Sequence, residues 1–201
     1  MTLRKDLAII ADWITPQSRI LDLGCGEGEL LAYLRTEKGV QGYGVEIEEA
    51  RVVAAIRRGI PVIQQDLDQG LRNFADHSVD TVVLSLTLQA STYPRELLLE
   101  MLRVGREVIV TFPNMGHWHA RRQLDVRRRM PMTDVLPHTW YDTPNIHLCT
   151  IHDFESLCHD NGIAIHQRVV LNERRRETWR NRLLPNLFGE VALYRCALMA
   201  H

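Results

Sequence analysis

The stretch Ile20-Leu21-Asp22-Leu23-Gly24-Cys25-Gly26-Glu27-Gly28 decides the fold. An apolar run closes on an acid and breaks into a glycine-spaced turn, after which Leu30, Leu31 and Leu34 resume at helical spacing. A strand that turns through glycines straight into a helix begins a βαβ unit. Gly24 and Gly26 let the backbone bend tightly and approach a ligand with no Cβ in the way.

The same rhythm continues on both sides. Residues 3–14 carry Leu3, Leu7, Ile10, Ala11 and Ile14 near a 3.6-residue period, and Pro16 stops that helix. Strands are expected at 19–23, 41–46, 62–65, 79–86 and 108–112, and helices at 29–35, at 48–57 with Gly59 as its cap, and from Pro94 through Leu102. The run at 79–86 is nearly continuous in apolar residues, as in a strand covered on both faces. A capping-box spacing at Thr150-Ile151-His152-Asp153 opens a further helix that ends at Asn161-Gly162. Residues 163–171 and 191–198 then read as an antiparallel pair closing the sheet edge. The expectation is an α/β fold: a doubly wound, mostly parallel, seven-stranded Rossmann-like sheet with an antiparallel terminal strand.

Residues 114–149 interrupt the alternation with Pro131, Pro137 and Pro144, several aromatics, and Arg121, Arg122, Arg127, Arg128 and Arg129. The chain therefore reads as one domain over 1–201 with an insertion at about 114–149, and long insertions in compact domains are often functional. A second arginine group, Arg174, Arg175, Arg176, Arg180 and Arg182, flanks Trp179 between the last two strands.

Composition narrows the function classes. The chain has 201 residues, 45% hydrophobic and 24% charged, as in an ordinary globular protein. No apolar run is long enough to span a membrane, and the first residues lack a signal-peptide pattern, so a cytoplasmic protein with reduced thiols is expected. The four cysteines form no C-x-x-C pair and His117-x-His119 lacks metal-ligand spacing, so no metal is expected. The net charge of −1 and the lack of a recognised nucleic-acid module weigh against nucleic acid, although arginines beside tryptophan also suit a protein interface.

Three acids define the ligand. A dinucleotide-binding loop reads G-x-G-x-x-G, but here its third glycine position is Glu29, and Glu27 adds a second acid facing any pyrophosphate. A ligand with a cationic end and no phosphate fits better, and S-adenosylmethionine carries a sulfonium and an ammonium. Glu46 closes the second strand about 20 residues beyond the glycine loop, where an acid binds ribose hydroxyls. Asp66 follows the third strand and is placed to accept from an adenine amino group. The expected cofactor-binding set is Asp22, Gly24, Cys25, Gly26, Glu46 with Ile47, Asp66 with Leu67, and Ser85. Cys25 reads as a small side chain tolerated at a tight turn, not as a nucleophile, and His117 is the one candidate for a catalytic base.

At these residues the chain resembles the class I S-adenosylmethionine-dependent methyltransferases over about residues 15–112. Along nearly its whole length it resembles the MetW family of methionine-biosynthesis proteins. The carrying stretches are Ile20-Leu21-Asp22-Leu23-Gly24-Cys25-Gly26, Tyr43-Gly44-Val45-Glu46, Phe112-Pro113-Asn114 with Gly116-His117-Trp118, and Trp140-Tyr141-Asp142-Thr143-Pro144-Asn145-Ile146-His147. The resemblance implies S-adenosylmethionine or S-adenosylhomocysteine as cofactor. It also implies a MetX-type homoserine O-acyltransferase as partner, dependent on this chain for its activity. The alternative is a methyltransferase acting on a small metabolite. Residues 85–89, Ser85-Leu86-Thr87-Leu88-Gln89, lack the Asp/Asn-Pro-Pro-Tyr/Phe element of nucleobase and amide methyltransferases, which argues against those acceptors.

Overall fold

The computed structural model describes residues 3–172, 174 and 176–199; Arg175 lies outside the described residues. The strands are β1 (Arg19–Leu23), β2 (Gln41–Glu46), β3 (Val62–Gln64), β4 (Val79–Ser85), β5 (Gly105–Pro113), β6 (Ile163–Leu171) and β7 (Val191–Leu198). They form one seven-stranded sheet in the order β3-β2-β1-β4-β5-β7-β6. All pairings from β3 to β5 are parallel, and β7 runs antiparallel to both β5 and β6. The helices are α1 (Lys5–Trp13), α2 (Glu29–Lys38), α3 (Glu49–Arg57), α4 (Pro94–Val104), α5 (Trp118–Asp125), α6 (Ile151–Asp160), α7 (Trp179–Leu183) and α8 (Pro185–Phe188).

The period-2 alternation of the strands divides the core between the two faces of the sheet. Leu21, Leu23, Val82, Leu84, Val108, Val110, Phe112 and Tyr194 join α4 and α6 on one face. Ile20, Val83, Ile109 and Leu193 join residues of α1 and α2 on the other. Coverage on both faces explains why β4 reads as a nearly continuous apolar run.

The expected caps of α3 and α6 hold, while α2 and α4 run on to Lys38 and Val104, beyond their expected ends. Gly59 follows α3 in the left-handed conformation, its N–H donating to the Ile56 carbonyl while Ile60 N–H donates to Ala55. Thr150 Oγ1 accepts from Asp153 N–H at 3.2 Å, and Asp153 accepts in return from Thr150 N–H at 2.8 Å. The bonds that Thr150 N–H and Thr150 Oγ1 donate to it hold the Asp153 carboxyl below the usual range. Thr150→Ala removes the cap and is expected to lower stability by about 1 kcal/mol in chemical denaturation, with the ligand affinity unchanged.

Three helices were not expected from the sequence. α5 buries only Ala120 and Gln123, so it shows no apolar stripe. α7 and α8 have five and four residues, too short to show a period. The rest of the 114–149 connection is irregular, with Leu136 buried and Gln123 bonded to the backbone of Met132 through both its amide atoms.

Candidate functional site

Sheet geometry brings Asp22 and Glu46 together. Asp22 is paired in register with Gly44 of β2, and Glu46 lies two residues beyond Gly44, so both carboxylates leave the same face. Asp22 is 3% exposed, and among the described residues no hydrogen-bond donor reaches it. Burial, with the Glu46 charge second, pushes its carboxyl up to about 7. The same causes, burial first and then the Asp22 and Glu46 charges, push the neighbouring Cys25 thiol up to about 12. A thiol held protonated at neutral pH is not a nucleophile.

Glu46 organises the glycine loop. Its Oε2 accepts from Gly26 N–H at 2.9 Å, and its Oε1 accepts from Ile47 N–H at 2.9 Å and Glu48 N–H at 3.0 Å. Each carboxylate oxygen has two acceptor positions. Oε1 is therefore filled, and Oε2 keeps one position for a further donor. The expectation of two ribose hydroxyls on Glu46 is narrowed by this count: a second one requires Ile47 or Glu48 to let go.

Gly24 has φ of +67°, and a Cβ there would lie 2.6 Å from Thr87 Oγ1. Thr87 approaches this closely because Leu86, at the end of β4, takes a φ of +53°. Left-handed geometry is uncommon for leucine, and such residues cluster at functional sites. Leu86 N–H is held by the Thr111 carbonyl at 3.0 Å, and Ser85 Oγ lies 3.3 Å from Thr111 Oγ1. Leu86 and Thr87 were missed as site residues in the sequence, since their placement depends on backbone conformation and not on residue type.

Two clefts meet at Gly24, Leu86 and Thr87. The larger, about 510 Å³, takes in Asp22, Cys25, Gly26 and Ser85. Arg4, Arg51 and Arg58 also line it, each already paired with an acid: Asp6, Glu48 and Glu27. The smaller, about 370 Å³, takes in Glu46, Ile47, Asp66 and Leu67. Both volumes fall in the usual range for small-molecule sites. Ile47 is exposed and offers an apolar surface beside the two acids. Asp66 spends one oxygen capping the turn at Leu67–Gln69, accepting from Asp68 N–H at 3.0 Å, and among the described residues its other oxygen accepts no such bond. Asp68 is fully engaged: burial alone would raise its carboxyl, but bonds from Thr92 and Ser91 outweigh burial and hold it low.

Pro144 and Asn145 complete the smaller cleft. Ile146 N–H and His147 N–H both donate to the Gln89 carbonyl, at 2.7 and 3.0 Å, and fasten the long connection onto the turn after β4. The structure thus brings all nine expected cofactor-binding residues to two adjoining clefts. His117 it places elsewhere, buried in a separate cavity with Trp118, Asn172 and Thr178.

The strand order, the glycine loop after β1 and the acid ending β2 define the fold of the class I S-adenosylmethionine-dependent methyltransferases. An S-adenosylmethionine-dependent methyltransferase from Mesorhizobium loti superposes with a TM-score of 0.71 at 17% identity, covering 96% of this chain and 97% of that one. The chain belongs to the MetW family: the model of Methionine biosynthesis protein MetW matches residues 4–196. A curated relative, the bifunctional methionine biosynthesis protein MetXA/MetW of Rhodopirellula baltica, is 35% identical over 202 residues, 96% of this chain and 32% of the relative. The chain therefore spans about a third of the length of that relative. The fold alone does not fix the chemistry: the [4+2]-cyclase SpnF superposes with a TM-score of 0.69 at 15% identity, covering 98% of this chain and 82% of that one.

Proposed function

We propose that this chain is an adenosyl-binding partner of a MetX-type homoserine O-acyltransferase in methionine biosynthesis, needed for that enzyme's activity. The relative that joins MetXA and MetW in one polypeptide carries the reading. Joining two modules holds each at high effective concentration beside the other, which favours pairs that work in contact. The cytoplasm is the proposed setting, and the four cysteines, all free thiols, suit a reducing compartment.

The ligand is S-adenosylmethionine or S-adenosylhomocysteine, and the chemistry of the clefts supports it. A buried carboxylate with no donor of its own, beside a second carboxylate, favours a cation in the larger cleft. Asp22 is assigned to the charged amino-acid end of the ligand and Glu46 to a ribose hydroxyl. Asp66 is assigned to the adenine amino group, with Ile47 and Leu67 against the base. Gly24, Cys25 and Gly26 admit the ligand close to the backbone, and Ser85 borders it. Bound S-adenosylmethionine supplies an electrophilic methyl group on a sulfonium; the residues of this chain hold and orient it.

The retained set of Asp22, Glu46 and Asp66 also favours a second reading, methyl transfer to a small metabolite. Such transfer needs in-line positioning, and a base only when the acceptor is protonated. A methyl-transfer screen with radiolabelled S-adenosylmethionine against cell metabolites separates the two. The partner reading expects no robust turnover. Turnover on one metabolite, with no effect on the acyltransferase, establishes the second reading instead.

A further inference from the structure

The second arginine group meets the start of α5, the helix that carries Arg121 and Arg122 of the first. His117 and Trp118, at the start of α5, share a cavity of about 240 Å³ with Arg174, Thr178, Arg180 and Phe188 from the β6–β7 connection. The junction is built. Asn114 donates to the carbonyls of Asn186 and Gly189 at 3.0 and 2.7 Å, tying the start of the long connection to α8. Gly116 packs so tightly on Asn186 that a Cβ there would collide with its side chain. On the other side, buried Asn181 donates to the carbonyls of Val170 and Arg176 at 2.9 and 3.1 Å, and Arg180 lies 4.1 Å over the Phe188 ring.

Several arginines of the chain pair with acids, among them Arg182 of the second group with Glu177. Arg103 pairs with Glu100 and Asp76, Arg168 with Glu155, and Arg195 with Glu107. By contrast, among the described residues no acid lies within ion-pair distance of Arg121, Arg122, Arg174, Arg176 or Arg180. All five are exposed. The same segments carry exposed apolar side chains: Trp118 at 39% and Leu124 at 42% on α5, Trp179 at 74% and Leu183 at 70% on α7.

We infer that this arginine–tryptophan face, built from α5 and the β6–β7 connection, is the surface that docks the acyltransferase through an acidic, partly apolar patch on that enzyme. The inference rests on the partnership proposed above and names its surface. Arginine and tryptophan are the residues that dominate interface energetics, and unpaired charge of one sign steers a partner of the other. The exposed leucines favour a protein over nucleic acid, since a phosphate backbone offers them no apolar contact, and the net charge of the whole chain is −1. The face lies on the same long connection whose far end, Pro144 and Asn145, lines the smaller ligand cleft.

The test is to titrate the homoserine O-acyltransferase of the same cell onto this chain by calorimetry at low and moderate salt. Two charge-reversed variants with unchanged melting temperature are compared with the unaltered chain. Arg121→Glu/Arg174→Glu alters the face. Arg57→Glu/Arg106→Glu makes the same change of net charge at exposed positions away from it. The first pair is expected to weaken binding about tenfold or more and to flatten its salt dependence, the second to leave it unchanged. Equal effects from both pairs, or none from the first, overturn the surface while leaving the partnership standing. Failure of the unaltered chain to bind overturns both. Tight binding of a short duplex DNA that competes with the acyltransferase and is lost in the first variant assigns the face to nucleic acid and refutes the inference.

Discussion

Replacing Glu46 with alanine is expected to weaken S-adenosylmethionine binding about tenfold to hundredfold. Removing one partner of a charge-assisted hydrogen bond in a buried site costs on the order of 1.5–3 kcal/mol, and every 1.4 kcal/mol is about tenfold in affinity. The structure strengthens this expectation. Glu46 is the acceptor for the N–H groups of Gly26, Ile47 and Glu48, so the substitution also releases the loop that forms the floor of the site. Glu46→Gln separates the two effects. It keeps one acceptor oxygen but presents an amide donor where the second oxygen stood, so either the Gly26 and ribose contacts on one oxygen are lost together, or the Ile47 and Glu48 contacts on the other are lost and the ribose contact is kept. Calorimetry on both variants, beside their melting curves, reads affinity and loop stability apart. Unchanged affinity in a folded Glu46→Ala protein shows that the site lies elsewhere.

Lowering the pH below 7 is expected to weaken S-adenosylmethionine binding progressively, approaching tenfold per pH unit, through Asp22. Its carboxyl sits at about 7 in the free protein. A cation binds best to the ionised form, so below that value binding must first remove a proton, and the linkage slope tends to one proton per ligand. The ammonium of the ligand titrates near 8, so the side of the profile below pH 7 belongs to the protein. Asp22→Asn should bind more weakly at pH 7.5 but show a flat profile below 7. Parallel profiles for the two proteins contradict the role given to Asp22. The sign for stability is the opposite of that for binding. A carboxyl raised in the folded state favours folding at low pH, and that contribution is lost as pH rises from the unfolded value of 3.8 to about 7. Without ligand, the stability advantage of Asp22→Asn over the unaltered chain therefore grows across that window.

Much of the fold and of the ligand site was legible in local patterns. The run from Ile20 to Gly28 fixed a strand, a turn and a helix start, and the apolar run at 79–86 marked a strand covered on both faces. Position 46 was legible because a parallel sheet sets the end of its second strand beside the first turn. What was not legible depends on backbone conformation or on tertiary meeting. Leucine at 86 gives no sign of a positive φ, and that turn is what brings Thr87 against Gly24. The segment from Trp140 to His147 stood out in the sequence, but its place over the smaller cleft follows from two backbone bonds to Gln89. Helix α5 was hidden because its sequence is arginine-rich and its buried side small. The meeting of the second arginine group with the start of α5 is a tertiary arrangement, which no local window contains.

The most direct measurement is the rate of acyl transfer to homoserine by the MetX-type acyltransferase of the same cell, with and without this chain at equal concentration. Dependence of the enzyme on this chain predicts a rise in rate of about tenfold or more, within the usual range of coupling between two binding partners. A rate that stays the same when the two proteins are mixed at saturating concentration contradicts the proposed function.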